Sequence, residues 1–181
     1  MKFLATPSSS DAASDAIGRG PLGEPLFPDP FRGSLAHTQG WSCALVTNDP
    51  ELLSVGVDIE GVERPFRPEV ALRIASQSEK DALSEWHNDP TLPIHWRSGL
   101  ALFCAKEAVF KTLSPLIQQQ LVLSQLSLTY DPAMNQFKNS TTTNFAQPIL
   151  GYIIRWQNTI IACAVASTTL TFSSSSIIHE D

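Results

Sequence analysis

A chain of 181 residues is long enough to bury a real core, either as one domain or as two small halves packed together. Hydrophobic residues at 43% and charged residues at 17% exclude wholesale disorder, and a net charge of −6 excludes a general nucleic-acid binder, which needs clustered Lys and Arg. The apolar stretch over 160–166 falls far short of the ~20 residues a membrane-spanning helix requires, so no transmembrane segment is expected.

The first five residues, Met1 to Ala5, resemble the opening of a signal peptide, but Thr6-Pro7 and a serine run follow with no apolar region behind them. A cytoplasmic location is therefore expected. A short helix is predicted over 11–17, ended by Gly18-Arg19-Gly20-Pro21, with loop as far as Phe31. Cys43, Leu45 and Val46 predict a strand over 41–48, Asn48-Asp49-Pro50 a turn, and the Leu, Val and Ile residues of 52–59 a second strand. The short connection predicts that these two strands pair as a hairpin.

Pro68 fits the first turn of a helix through Val70, Ala71 and Ile74, and Ser78 with Asp81 predicts the cap of another through Leu83 and Trp86. A long helix is predicted over 96–113, where Leu100, Phe103, Phe110 and Leu113 recur at helical spacing before Pro115 stops it. Three strands are predicted beyond it, over 126–130, 149–156 and 159–167, with Gln157-Asn158 turning between the last two. The Ser-rich residues 169–181 read as a tail. Cys43, Cys104 and Cys163 lie in apolar segments without CxxC spacing, which suits free thiols. The fold class is α/β of the α+β type, with mainly antiparallel strands.

Two short segments carry candidate chemistry. In Gly56-Val57-Asp58-Ile59-Glu60, at a strand end, side chains two apart share a face about 6–7 Å apart along the chain. Asp58 and Glu60 then project together while Ile59 turns to the core. Paired carboxylates repel unless a cation or proton lies between them, and such oxygen ligands suit Mg²⁺; a solvated strand end is the other reading. In Phe103-Cys104-Ala105-Lys106-Glu107-Ala108-Val109-Phe110-Lys111, Glu107 and Lys111 are four apart and share a helix face. They form either a surface ion pair worth a few tenths of a kcal/mol or a polar site at the edge of an apolar face.

Together these segments resemble the paired signatures of the 4′-phosphopantetheinyl transferase superfamily, in particular its siderophore-synthetase branch, like the enterobactin synthetase component D. Two upstream segments extend the likeness: Arg19-Gly20-Pro21-Leu22-Gly23-Glu24-Pro25-Leu26-Phe27-Pro28, and Gly33-Ser34-Leu35-Ala36-His37-Thr38. The resemblance covers residues 18–168. It implies an enzyme that moves the phosphopantetheine arm of coenzyme A onto a serine of an apo-carrier protein and releases adenosine 3′,5′-bisphosphate. It implies Asp58, Glu60 and Glu107 as Mg²⁺ ligands, Lys111 and Lys106 as partners of phosphate, and Arg19 and His37 at the nucleotide end of coenzyme A. Glu107 is the implied base and Lys111 the implied charge stabiliser in catalysis. The implied fold is two pseudo-symmetric halves, each a small antiparallel sheet on a long helix, sufficient as a monomer.

Two departures stand out. Ala36 replaces the serine that the pattern places before His37. The residues ahead of the metal segment are also few, so 1–54 is expected to form a partial first half and 55–168 the half with the metal site. These departures keep a second reading open, a non-catalytic homologue that binds carrier protein or coenzyme A. A third is a Mg²⁺-dependent phosphohydrolase built on the same carboxylates.

Overall fold

The computed structural model describes residues 17–21, 23–63, 66–117, 121–139 and 148–168. The predicted helix over 11–17, apart from its last residue, and the tail over 169–181 lie outside the described residues. In chain order the strands are β1 (Gly18–Arg19), β2 (Pro25–Leu26), β3 (Arg32–Thr38), β4 (Trp41–Thr47) and β5 (Leu52–Gly61). The helices α1 (Pro68–Ile74), α2 (Gln77–Asn88), α3 (Ile94–Arg97) and α4 (Leu100–Leu113) follow. A 3₁₀ turn over Leu123–Gln125 then leads into β6 (Leu128–Asp131), β7 (Gln136–Asn139), β8 (Ile149–Trp156) and β9 (Thr159–Ser167).

The five-stranded sheet runs β5-β9-β8-β7-β6, antiparallel throughout. Its β8–β9 hairpin has the predicted bounds, and Gln157 takes the positive φ of 50° that a tight turn demands. The predicted hairpin of 41–48 with 52–59 is not formed. β4 pairs with β3 instead, around Gln39-Gly40, and β5 pairs with β9. The reason is burial: β5 is an almost unbroken run of buried residues, and although it is the end strand of the five-stranded sheet it is covered on both faces, by α4 and by the β3–β4 hairpin. A local Asn-Asp-Pro turn does not outweigh that demand. β3 escaped prediction because its Arg, Gly, Ser, His and Thr give no apolar alternation, and β7 escaped for the same reason.

One face of the sheet carries α4. Ile160, Ala162, Ala164 and Ala166 of β9 meet Ala101, Cys104, Ala105, Ala108 and Val109 of α4, all buried. Small residues on both sides let helix and strand approach closely, and Gly56 of β5 takes this furthest. A Cβ there would lie 2.0 Å from the Ala108 carbonyl oxygen and 2.3 Å from Thr112 Oγ1. The other face carries a smaller cluster of Val57, Ile59 and Ile161 with Ala36 of β3, flanked by Cys43, Leu45 and Cys163. The hairpin β3–β4 thus stands against β5 through side chains; the buried Ser34 Oγ accepts the Val57 N–H at 3.1 Å.

The helix predicted over 96–113 is two helices. Gly99 adopts a left-handed φ of +79°, which Gly alone takes without penalty, and this ends α3 and caps α4. The cap of α2 is Ser76 rather than Ser78, with the Glu79 carboxylate accepting the Ser76 N–H at 2.6 Å. All three cysteines are free thiols, Cys104 fully buried and the other two half-buried.

Candidate active site

On α4 nearly every residue is buried, and the half-open positions are Phe103, Glu107, Phe110 and Lys111. They follow the helical repeat and make one stripe, which answers the expectation that Glu107 and Lys111 share a face. Beneath this helix, alternation along β5 turns Val57 and Ile59 to the second face of the sheet and leaves Asp58 toward α4. The close approach that Gly56 permits brings Lys111 across to it.

Lys111 Nζ donates to Asp58 Oδ1 at 2.8 Å and to the Val57 carbonyl at 3.1 Å. Its predicted pairing is therefore redirected, from its own helix to the strand. The Lys111 side chain keeps 29% of its exposure while that of Asp58 keeps 10%, so the pair sits at the margin of the interior. Burial raises the Asp58 carboxyl above its ordinary range, and the Lys111 ammonium pulls it partly back. Burial also raises Glu107, with the neighbouring Asp58 charge pushing the same way and Lys111 opposing. The buried thiol of Cys104 is raised well above its ordinary value by burial, then by the charges of Asp58 and Glu60. Three carboxylates thus act on one region of α4, with a lysine as the counter-charge drawn to it.

Asp58 Oδ2 is buried with no hydrogen-bond partner. A buried carboxylate oxygen without a donor is a place for a proton or a cation, and its oxygen chemistry suits a hard one. As the side chains stand, no three His, Cys, Asp or Glu residues among those described converge as a ready-made metal cage, and Lys111 supplies the positive charge at Asp58. A cleft of about 860 Å³ opens beside Glu60, walled by Trp41, Phe66, Arg67, Phe103 and Asn158.

Lys106 departs from expectation. The resemblance implied a phosphate partner, yet the side chain is fully buried and paired with Glu79 at 2.6 Å. Lys106 and Glu107 are adjacent, and adjacent residues point about 100° apart around a helix. Glu107 lies on the half-open stripe, so Lys106 points into the core.

His37 is exposed on β3, and the alternation of that strand turns Ser34 and Ala36 inward in its place. Arg19 is exposed on β1. The hydrogen bonds that join Asp58 and Lys111 include neither. Ala36 proves to be a core position, where its methyl packs on Val57 and Ile59. Ser34, Gly56, Cys104 and Thr112 frame the site; the first three lie inside the motif segments without being given a role there, and Thr112 lies just beyond one. Only the alternation of β3, once recognised as a strand, identifies Ser34.

A family model described as the 4′-phosphopantetheinyl transferase superfamily matches residues 54–164, from β5 to β9. The chain belongs to that superfamily. It is 32% identical over 116 residues to the 4′-phosphopantetheinyl transferase Npt of Nocardia iowensis, a match covering 64% of this chain and 49% of the relative. It is 33% identical to the transferase Svp of Streptomyces mobaraensis, over 69% of this chain and 53% of the relative. With PptT of Mycobacterium tuberculosis it shares 33% identity, over 72% of this chain and 58% of the relative. The chain thus spans about half the length of the curated relatives it matches. Among solved structures, the holo-[acyl-carrier-protein] synthase of Thermotoga maritima superposes with a TM-score of 0.42 and 18% identity, over 65% of each chain.

Proposed function

We propose that this chain transfers the 4′-phosphopantetheine arm of coenzyme A to a serine hydroxyl of an apo-carrier protein. The observation that carries the reading is the Asp58 group: a buried carboxylate with one oxygen on Lys111 and the other without a donor, beside a second carboxylate on Glu107. Residues 55–168 are the half that bears it.

Asp58, Glu60 and Glu107 are the residues that would hold Mg²⁺, which when bound supplies positive charge to the pyrophosphate of coenzyme A. The Lys111 ammonium, half-open on α4, turns from Asp58 to the phosphoryl oxygens and stabilises the charge that grows there as the nucleotide leaves. A serine hydroxyl is a weak nucleophile at neutral pH and must lose its proton as it attacks. A free carboxylate oxygen of Glu107 takes that proton; its raised affinity for protons makes it a better base than an exposed glutamate. His37 and Arg19 are assigned to the nucleotide end of coenzyme A. The likeness in motifs favours carriers of peptide or siderophore synthetases and a cytoplasmic, monomeric enzyme.

The test is transfer of labelled phosphopantetheine from coenzyme A to a purified apo-carrier protein, with Mg²⁺ and with EDTA. Transfer is expected with Mg²⁺ alone, and Glu107→Ala is expected to lower it by ~10²–10⁴-fold, the range of a lost general base. Binding of carrier without any transfer supports the non-catalytic reading instead. Release of phosphate in the absence of carrier supports a phosphohydrolase.

A further inference from the structure

The Lys106–Glu79 pair is costly, fully satisfied and outside the site described above. Lys106 is 0% exposed and Glu79 1%. The three N–H groups of the ammonium are shared among four oxygens: Glu79 Oε2 at 2.6 Å, Leu126 O at 2.6 Å, Ile74 O at 2.7 Å and Leu123 O at 3.0 Å. The carboxylate accepts the Ser76 N–H at 2.6 Å, the Leu128 N–H at 3.0 Å and the Tyr130 hydroxyl at 3.3 Å. One ion pair therefore ties the end of α1, the first turn of α2, the 3₁₀ turn and the start of β6 to the middle of α4.

Such a pair is a poor source of stability, because removing two charges from water consumes most of what their attraction returns. Its best-attested use is to fix a register. α4 has need of that. Where it rests on β9 the contact is mostly of small residues, Ala101, Cys104, Ala105 and Ala108 above Ala162, Ala164 and Ala166, with Ile160 and Val109 the larger side chains. Small side chains on both sides offer few ridges to oppose rotation of the helix about its axis. A side-chain tip lies about 6 Å from that axis, so a rotation of about 15° carries it about 1.5 Å. Misplacement of about 1 Å is enough to cost ~10²-fold in rate.

We propose that Lys106 is a positioning residue: clamped by Glu79 and three carbonyls, it sets the rotation of α4 and so holds Glu107 and Lys111 toward Asp58. The kinetic part of this inference rests on the transferase reading; the structural part does not.

The test replaces the pair by apolar residues of similar volume, Lys106→Met with Glu79→Leu, and takes both kinetics and a crystal structure. The double variant leaves the Ile74, Leu123 and Leu126 carbonyls, the Ser76 and Leu128 N–H groups and the Tyr130 hydroxyl without these partners. Its Tm is therefore expected to fall, and kinetics and structure are taken below it. Its kcat is expected to fall by ~10-fold or more while KM for coenzyme A stays within about twofold. Its Lys111 Nζ–Asp58 Oδ1 contact, 2.8 Å in the parent, is expected to open to a separation that no longer makes a hydrogen bond. Parental kcat together with the parental contact overturns the proposal, and so does a rise in KM alone, which would return Lys106 to phosphate binding. If the double variant does not fold, Glu79→Gln, which keeps the side-chain shape but removes the charge and turns one acceptor oxygen into a donor, is read by the same two measurements. If the parent itself transfers nothing, the functional reading has failed, and the crystallographic distance alone decides whether the pair sets the helix.

Discussion

Asp58 holds Lys111 with one oxygen and leaves the other without a donor, and this asymmetry dictates how substitutions there will behave. Asp58→Asn keeps an acceptor for Lys111 and removes a charge that burial opposes. It is expected to change folding stability by under about 1 kcal/mol in a urea titration while abolishing transfer. Lys111→Met does the reverse and strands a carboxylate. The expected cost is about 1–2 kcal/mol rather than the 3–5 of a sealed pair, because Lys111 keeps 29% of its exposure. The kcat is expected to fall with it while KM for coenzyme A changes little, because Lys111 acts on charge that grows as the nucleotide leaves.

On α3, His95 is buried with Nδ1 unpartnered, and burial, then the Arg155 charge, lowers its pKa from the ordinary 6.5. Below that value the unfolded chain binds a proton that the folded chain refuses, so stability is complete above pH ~6.5 and declines as pH falls toward the lowered pKa. Urea midpoints at pH 7.5 and pH 5 are expected to differ more for the parent than for His95→Gln.

At the scale of elements, the site depends on how α4 lies on β5, and two glycines control that. Gly56→Ala is expected to cost about 1–3 kcal/mol, since its methyl meets the Ala108 carbonyl and Thr112 at distances that force the helix outward. Gly99→Ala is expected to cost about 1–2 kcal/mol, through its φ of +79° and the Ala71 Cβ 2.7 Å away. Thermal melts of both variants check this. Neither role was legible in sequence, because a glycine in an apolar strand looks the same whether or not a helix presses on it. The β8–β9 hairpin was legible to the residue, since alternation and a tight turn are local signals. The pairing of β5 was not local: its neighbour was settled by a strand about a hundred residues further on. Asp58 and Glu107 were singled out by residue type and by the likeness of their two motifs, and neither segment alone distinguished a site from a solvated strand end or a surface ion pair. Lys106, placed at phosphate by the resemblance alone, is buried because adjacent helix residues point about 100° apart and Glu107 takes the half-open side.

At the scale of the whole molecule, stability is expected to be uneven. α4, β5 and β9 share the buried centre, while β1–β2 is a two-residue ladder and β3–β4 meets β5 through side chains. Native-state amide exchange is expected to be slowest in the first group, faster in β3–β4 and fastest in β1–β2. Uniform protection across all of them would show that the hairpins unfold only with the sheet. No helix among the described residues is long and apolar enough to cross a membrane, and the apolar surface that remains includes Tyr152, Ile154 and Trp156 on one face of β8. Trp156 has company there: Trp41, from the turn end of β4, meets it edge-on with ring centroids 4.4 Å apart. The other two of the four tryptophans, Trp86 and Trp96, are buried in the main core. The joint between hairpin and sheet therefore carries its own optical gauge. Coupled indoles leave a signature in near-ultraviolet circular dichroism that vanishes when the rings part. Trp86 and Trp96 form a second edge-on pair at 5.1 Å, so the part of the signal that Trp156→Phe removes is the part that follows this seam without an attached label.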